Sequence, residues 1–475
     1  MTIAAYDTHD GLGLAALVRS REISAVELLD EAIRRTEAVD PQLNAVVVRH
    51  DDAARRQIAS GLPEGPFTGV PFLLKDLDLL AGTRTTFGAS VFRDYVADHT
   101  GTLAQRFLAS GVTIFGKSAS PELGLMPTTE SRLFGPTRNP WNPAHSSGGS
   151  SGGAAAAVAA RIVPVAHASD GGGSIRIPAS ACGVFGLKPT RARTPTGPDR
   201  GEGWGGFACG HVVSISVRDS AAMLDAVQGP EASSPYVAPP PERPYLEETK
   251  RDPGRLRIAF TDRSPYGEPI DPEIATAVRD VAAMLERLGH HVEERAPQLP
   301  LDPAAVLATI VGTNTALSVR LAENAFGRPM TDGDFERLTL AMAANARKAS
   351  GVDYVEAQLG AFQIARSLAE FFTGCDVFLA PTLCLPPLPI GALDTMTSDL
   401  SHISPLLRRY MPGTSMFNIS GQPAMSVPLA WNAAGLPLGM MFAGRFGDEA
   451  TLFRLAAQLE RERPWAQRRP PVCAS

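Results

Sequence analysis

Between Ser146 and Pro178 the chain reads SSGGSSGG, then an Ala/Val-rich run, then SDGGGSIRIP. A flexible linker shares the Gly and Ser but is not followed by an apolar helix-like run and a strand-like segment. Two Gly/Ser loops joined by apolar structure are glycine-rich for another reason: the backbone must turn tightly and approach a partner closely. Gly171, Gly172 and Gly173 run directly into Ser174. No side chain shields their N–H groups, so several donors can converge on one oxygen, as an oxyanion hole requires. Ser174 is therefore the candidate nucleophile, and Gly171, Gly172, Gly173 and Ser174 form the candidate hole.

The pattern continues along the chain. GVPFLLKD at 69–76, GKSASPELG at 116–124 and FGPTRNPWN at 134–142 precede GGSSGG at 148–153 and DGGGSIRIP at 170–178; GLKPT at 186–190 and FNISGQPA at 417–424 follow. Together these segments resemble the amidase signature family, and the match spans most of the chain. The look is nearest to members acting on cyclic amides, aryl amides and urethanes. The resemblance implies an α/β fold with one large mixed β-sheet covered by helices on both faces. It also implies hydrolysis of amide or carbamate C–N bonds through an acyl-enzyme. In that scheme Ser174 attacks, and Ser150, preceded by a cis peptide from Gly149, relays a proton between Ser174 and Lys75. One departure is Gly171, where the family often carries Thr, Ile or Ala; the local shape of the hole is affected.

Composition sets outer limits. The 475 residues are 44% hydrophobic and 20% charged, with a net charge of −6, ordinary values for a globular protein. No basic block points to nucleic acid, and no uninterrupted apolar run reaches the length of a membrane span. The start, MTIAAYDTHDG, has neither the basic region nor the apolar core of a secretion signal. Cys182, Cys209, Cys375, Cys384 and Cys473 are odd in number and scattered, which argues against a disulfide framework and fits a reducing cytoplasm. No His/Cys/Asp cluster has metal-ligand spacing. The expected partner is a small amide or carbamate, with no metal, cofactor, nucleic acid or membrane, in a monomer or homodimer.

A single amidase domain is expected over 1–475. It divides into an N-terminal helical layer (about 1–60), a signature core (about 65–195), a Pro-rich surface connection (about 229–254) and a C-terminal part of sheet and helices (255–475). Leu14, Leu17, Val18, Val26, Leu29 and Ile33 have helical spacing, with Ser24 and Glu27 forming a capping box. Strands are expected at 46–48, 70–74, 112–115, 256–260, 377–380, 424–428 and 438–442, and helices at 51–60, 102–110, 449–459 and within 334–372. Asp271-Pro272 opens a helix that ends at Gly289. GVTIFGKS at 111–118 fits the phosphate-loop pattern formally, but its interior is a strand and it does not open a helix.

Lys75 ends an apolar strand, where desolvation disfavours its charged form and makes it a candidate base. The Ala-rich helix after Gly153 points its positive end at the same loop. Ser151 is assigned to hydrogen bonding around the serines, and Asp170 and Arg176 to pinning the loop. A rival reading takes Gly148, Ser150 and Gly152 as a G-x-S-x-G elbow, with Ser150 the nucleophile of an esterase and a His–Asp pair drawn from His167, His211, His290, His291 or His402. A further alternative is a glutamyl-tRNA amidotransferase A-like subunit. Substrate contacts are expected from Leu125, Met126, Pro127 and Thr128, from Asn314, and from Trp204 and Phe207 on a glycine-rich lid, Gly197 to Gly210.

Overall fold

The structure, a computed structural model, describes every residue except Met1, Thr2, Ala4, Ser233 and Ser475. A small sheet comes first: β1 (Val46–Arg49), β2 (Pro71–Lys75) and β3 (Thr113–Ser118), in the order β1-β3-β2. β2 is parallel to β3 and antiparallel β1 takes the other side of β3. Two ribbons follow, β4 (Glu130–Ser131) with β5 (Gly135–Pro136), and β6 (Arg138–Asn139) with β7 (Asn142–Ser146). The main sheet has eight strands: β8 (Val165–Asp170), β9 (Phe185–Lys188), β10 (Cys209–Ser214), β11 (Arg257–Phe260), β12 (His291–Glu294), β13 (Val377–Pro381), β14 (Ala424–Trp431) and β15 (Pro437–Gly444). Their order is β12-β11-β13-β15-β14-β9-β10-β8. The β12-β11-β13 end is parallel and all other pairings are antiparallel.

Alternation along the central strands explains why helices cover both faces. Val377 and Leu379 of β13 and Met440 and Phe442 of β15 enter one buried cluster, with the helices Pro272–Arg287 and Glu449–Glu462. Phe378, Ala380, Met441 and Ala443 point the other way, into a cluster with the helices Pro303–Phe326 and Gly351–Phe371. Such two-sided burial requires apolar residues at successive positions, as these strands have. A third cluster joins the N-terminal helices, the small sheet and the helix Gly152–Ala159.

The expected mixed sheet is present, but the strand bearing Lys75 lies outside it, in the separate three-stranded sheet. Several elements, among them β9, β10, β12 and the helix Val217–Val227, were not read from sequence. β10 is a short strand begun by Cys209 and Gly210, the last residues assigned to the lid. The helix Pro303–Phe326 has its apolar pattern broken by Thr309, Thr313, Asn314 and Ser318. That helix is long and apolar enough to cross a membrane by length and composition, with a mean hydropathy of 1.4 in its best window, and one third of that window is buried within the chain. The capping box at Ser24 forms: Glu27 N–H donates to Ser24 Oγ (3.2 Å) and Ser24 N–H to Glu27 Oε2 (2.8 Å).

Candidate active site

Lys75 closes β2, an edge strand whose side away from β3 faces β8. Its backbone N–H therefore has no ladder partner there and donates to His167 Nδ1 of β8 (3.2 Å). The side chain is fully buried. Nζ meets two neutral hydroxyls, Ser150 Oγ at 2.7 Å and Ser169 Oγ at 3.0 Å. Burial lowers the ammonium's pKa to about 7; the more distant Asp78 and Asp170 offset only part of that effect. A lysine with hydroxyl neighbours and a depressed pKa can give and take a proton near neutrality.

The two serine loops are held by several ties. The peptide Gly149–Ser150 is cis. Thr129 Oγ1 donates to Gly148 O (2.9 Å) and accepts from Gly152 N–H (3.1 Å), clasping the first loop on both sides of Ser150. Ser151 N–H donates to Ser174 O (3.3 Å), which links the first loop to the second. Ser151 Oγ also accepts from Ser169 N–H and donates to Ser169 O, both at 3.2 Å. Ser174 lies half-buried in the turn from β8 into the helix Arg176–Cys182.

Asp170 organises that turn. Its carboxylate takes Arg176 Nε at 2.9 Å and Nη2 at 3.0 Å, Asn418 Nδ2 at 2.8 Å, and the N–H groups of Gly173 (2.7 Å) and Ile175 (3.1 Å). Burial alone would raise its pKa, but the Arg176 guanidinium outweighs that and holds it far below the usual carboxylate range. This corrects one expectation about the hole: the Gly173 N–H is already engaged by Asp170. Gly171, Gly172 and Ser174 keep N–H groups that bond to no described residue. Thr414 Oγ1 donates to Gly172 O (2.6 Å) and fixes that peptide.

The proposed substrate wall adjoins this centre. A Cβ on Gly124 would lie 3.3 Å from Ser150 Oγ, and one on Gly149 would lie 2.7 Å from Met126 O and Thr128 N. Leu125 is half-buried, whereas Met126, Pro127 and Thr128 are buried. Trp204, at φ +50°, lies over the glycine loop, its ring 2.5 Å from where a Cβ on Gly171 would stand. Only glycine fits there, which explains the departure at 171. Phe207 departs from expectation: it is buried in the core cluster, its carbonyl accepts from Asn418 Nδ2 (3.1 Å), and Arg191 lies over its ring (5.8 Å). Asn314 bonds back to Ile310 O (2.8 Å) on its own helix. That helix meets the glycine loop through Leu307, 3.7 Å from a Cβ on Gly172.

Four of the five candidate histidines bond elsewhere, and His291 lies exposed on β12. His167 receives the Lys75 amide, His211 bonds Ser220, His290 bonds Gln458 and His402 bonds the Asp399 carbonyl. Among the described residues no histidine bonds Ser150 or Ser174, so the elbow reading lacks its base. Sequence reasoning missed His167 and Ser169 as neighbours of Lys75, and Thr129, Thr414 and Asn418 as loop supports. His167 and Ser169 alternate on β8, a polar pair on one face of a strand; Asn418 lies within the FNISGQPA segment.

The Amidase family model matches residues 27–453. The 6-aminohexanoate-cyclic-dimer hydrolase of Pseudomonas sp. (strain NK87) is 39% identical, over 98% of this chain and 97% of that protein. A solved structure of 6-aminohexanoate cyclic dimer hydrolase complexed with substrate superposes with a TM-score of 0.94 at 36% identity, covering 99% of this chain and 100% of that one. A bacterial aryl acylamidase of the amidase signature enzymes superposes at 0.88 with 28% identity, covering 97% of both chains. The chain belongs to the Amidase family, whose members hydrolyse amide C–N bonds.

Proposed function

We propose that the chain hydrolyses small amides, with cyclic and aryl amides and carbamates as the class to test, through Ser174, Ser150 and Lys75. The observation that carries this reading is the pairing of a fully buried Lys75 with the Ser150 hydroxyl at 2.7 Å, one loop away from Ser174. Neutral Lys75 accepts the Ser150 proton while Ser150 Oγ accepts that of Ser174. Ser174 Oγ then forms a C–O bond to the substrate carbonyl carbon. The oxygen becomes an oxyanion, received by the free N–H groups of the glycine loop. The proton returns from Lys75 through Ser150 to the substrate nitrogen, the C–N bond breaks and the amine leaves. Water attacks the acyl-Ser174 ester, its proton passes along the same chain, and the acid departs as Ser174 regains its proton.

A fluorophosphonate probe followed by peptide mass mapping tests the assignment. Labelling is expected on Ser174, to be lost in Ser174→Ala and strongly slowed in Lys75→Ala. Labelling confined to Ser150 would reject the mechanism. Turnover of a panel of cyclic amides, anilides and aryl carbamates then fixes the substrate class.

A further inference from the structure

Of the three glycines before Ser174, two are held by hydrogen bonds and one is not. Gly173 N–H donates to Asp170 Oδ1 (2.7 Å), and the Gly172 carbonyl accepts from Thr414 Oγ1 (2.6 Å). Gly171 makes no hydrogen bond to any described residue. A glycine without such ties is free to sample more backbone conformations than any other residue, yet its N–H is one of the donors left for the oxyanion. What it has instead is a packing contact. The three atoms nearest the open side of its Cα all belong to the Trp204 indole: Cε3, Cζ3 and Cδ2 lie 2.5, 2.6 and 3.5 Å from the place of a Cβ.

The turn that carries the indole is tied to the same loop. Gly203 O accepts from the N–H groups of Gly206 and Ala208, both at 3.1 Å, and Trp204 O accepts from Phe207 N–H at 3.2 Å. Asn418 Nδ2 donates to the Phe207 carbonyl (3.1 Å) and to Asp170 Oδ1 (2.8 Å), so one side chain sets the spacing of turn and glycine loop. Trp204 is half-buried and packs against the core cluster that holds Ile310 and Phe207.

The backbone of this turn is unusual at one residue. Trp204, Gly205 and Gly206 have φ of +50°, +62° and +81°. Left-handed backbone suits glycine or asparagine, and a tryptophan there is an outlier. Such conformations persist where the surroundings impose them, and they cluster at functional loops. A glycine at 204 would relieve the strain and leave Gly171 uncovered.

We infer that Trp204 is a positioning residue of the oxyanion hole: its ring stands in for the side chain that Gly171 lacks and fixes the Gly171 N–H toward the reacting carbonyl. The effect passes through the loop and needs no contact between ring and substrate. The inference rests on the proposed attack by Ser174.

The test is inactivation of the full chain by diethyl fluorophosphate. Ser174 Oγ bonds to phosphorus, the phosphoryl oxygen enters the hole, fluoride leaves and the serine proton passes to Lys75. A concentration series gives the limiting rate, kinact, and the half-saturating concentration, KI. Asparagine accepts left-handed backbone, so Trp204→Asn removes the ring without burdening the turn. Its kinact should fall at least tenfold, against about 10²–10³ for outright loss of a hole donor. KI should stay within threefold, and the factor should be the same at pH 6 and pH 9, because the base is untouched. Trp204→Phe keeps a ring and should fall between.

Gly171→Ala should slow the otherwise wild-type chain at least tenfold and cost nothing further beside Trp204→Asn, where the methyl meets no ring. That non-additivity separates a displaced loop from a general loss of fold. An unchanged kinact in Trp204→Asn, a loss confined to KI, a loss that vanishes at pH 9, or equal costs of Gly171→Ala in both backgrounds overturns the inference. A wild-type chain not labelled at Ser174 would overturn the hydrolytic proposal and this one with it. Labelling of Ser174 that is indifferent to residue 204 overturns this one alone.

Discussion

Two buried lysines lie side by side on paired strands, and they have different fates. Lys75 of β2 and Lys117 of β3 are both fully buried, and Lys117 pairs in register with Leu74. Burial lowers both, Lys75 to about 7 and Lys117 to about 8. Lys117 Nζ, however, donates to the Asp78 carbonyl (2.6 Å) and to Thr85 Oγ1, and faces the Asp76 carboxylate that holds Thr86. Its contacts tie down the loop after β2. Among the described residues Lys75 Nζ bonds Ser150 and Ser169, hydroxyls that can pass a proton onward. Desolvation is thus common to both sites, and the neighbours decide which lysine can serve as a base.

The largest expected effect tests that division directly. Lys75→Ala should lower kcat by about 10²–10⁴-fold, the usual worth of a positioned general base, while Lys117→Met should keep kcat within a few-fold in steady-state assays on the folded protein. A Lys117→Met enzyme that is folded but inert would erase the distinction.

Stability should respond with opposite signs. Lys75→Met removes a cation that burial disfavours, an effect larger than the loss of its bonds to the Ser150 and Ser169 hydroxyls, so urea unfolding at pH 6 should show a gain of about 1–3 kcal/mol. Lys117→Met leaves the Asp78 carbonyl and Thr85 Oγ1 without that donor, removes the charge that faces the buried Asp76, and should lose about 1–3 kcal/mol. Shifts of the same sign would mean that the two sites are equivalent in energy as well as in burial.

The pH profile is the next measure. The base must be neutral, so kcat/KM should rise through about pH 7 and then level, following the folded Lys75. Stability obeys the same group. Between about 7 and the unpaired lysine value of 10.5 the unfolded chain binds a proton that the native chain does not, so unfolding free energy should increase with pH across that window. An activity profile that falls between pH 6 and 8 would exclude Lys75 as the base.

The smallest expected effect is at Ser169. Its hydroxyl accepts from Nζ and so favours the ammonium. Ser169→Ala should move the acid limb of the activity profile downward by less than about one pH unit, and an upward displacement would show that Ser169 favours the neutral amine instead.

What the sequence disclosed, and what it withheld, follows from how local each constraint is. Ser150, Ser174, Gly171 and Asp170 stand in contiguous loops whose shape is dictated by adjacent glycines, so their motifs are legible without neighbours. Helices with clear caps, such as Pro272–Arg287 behind Asp271, are legible for the same reason. The partners of Lys75 are not, because His167 and Ser169 meet it only where β2 approaches β8 from another sheet. The engagement of Gly173 by Asp170 depends on one turn's exact path, which a run of three glycines leaves open. The placing of Phe207 is illegible because glycine richness signals a loop, whereas the ring's burial comes from a cluster with Ile310 and Phe417, distant in the chain.

The contact between Gly171 and Trp204 has a consequence for how such a sequence can change over generations. The indole occupies the space that any side chain at 171 would need. A first replacement at 171 is blocked while the indole stays, and becomes permissible once position 204 has shrunk. A larger residue at 171 therefore has to arrive together with a displaced or smaller side chain at 204, which couples the two positions.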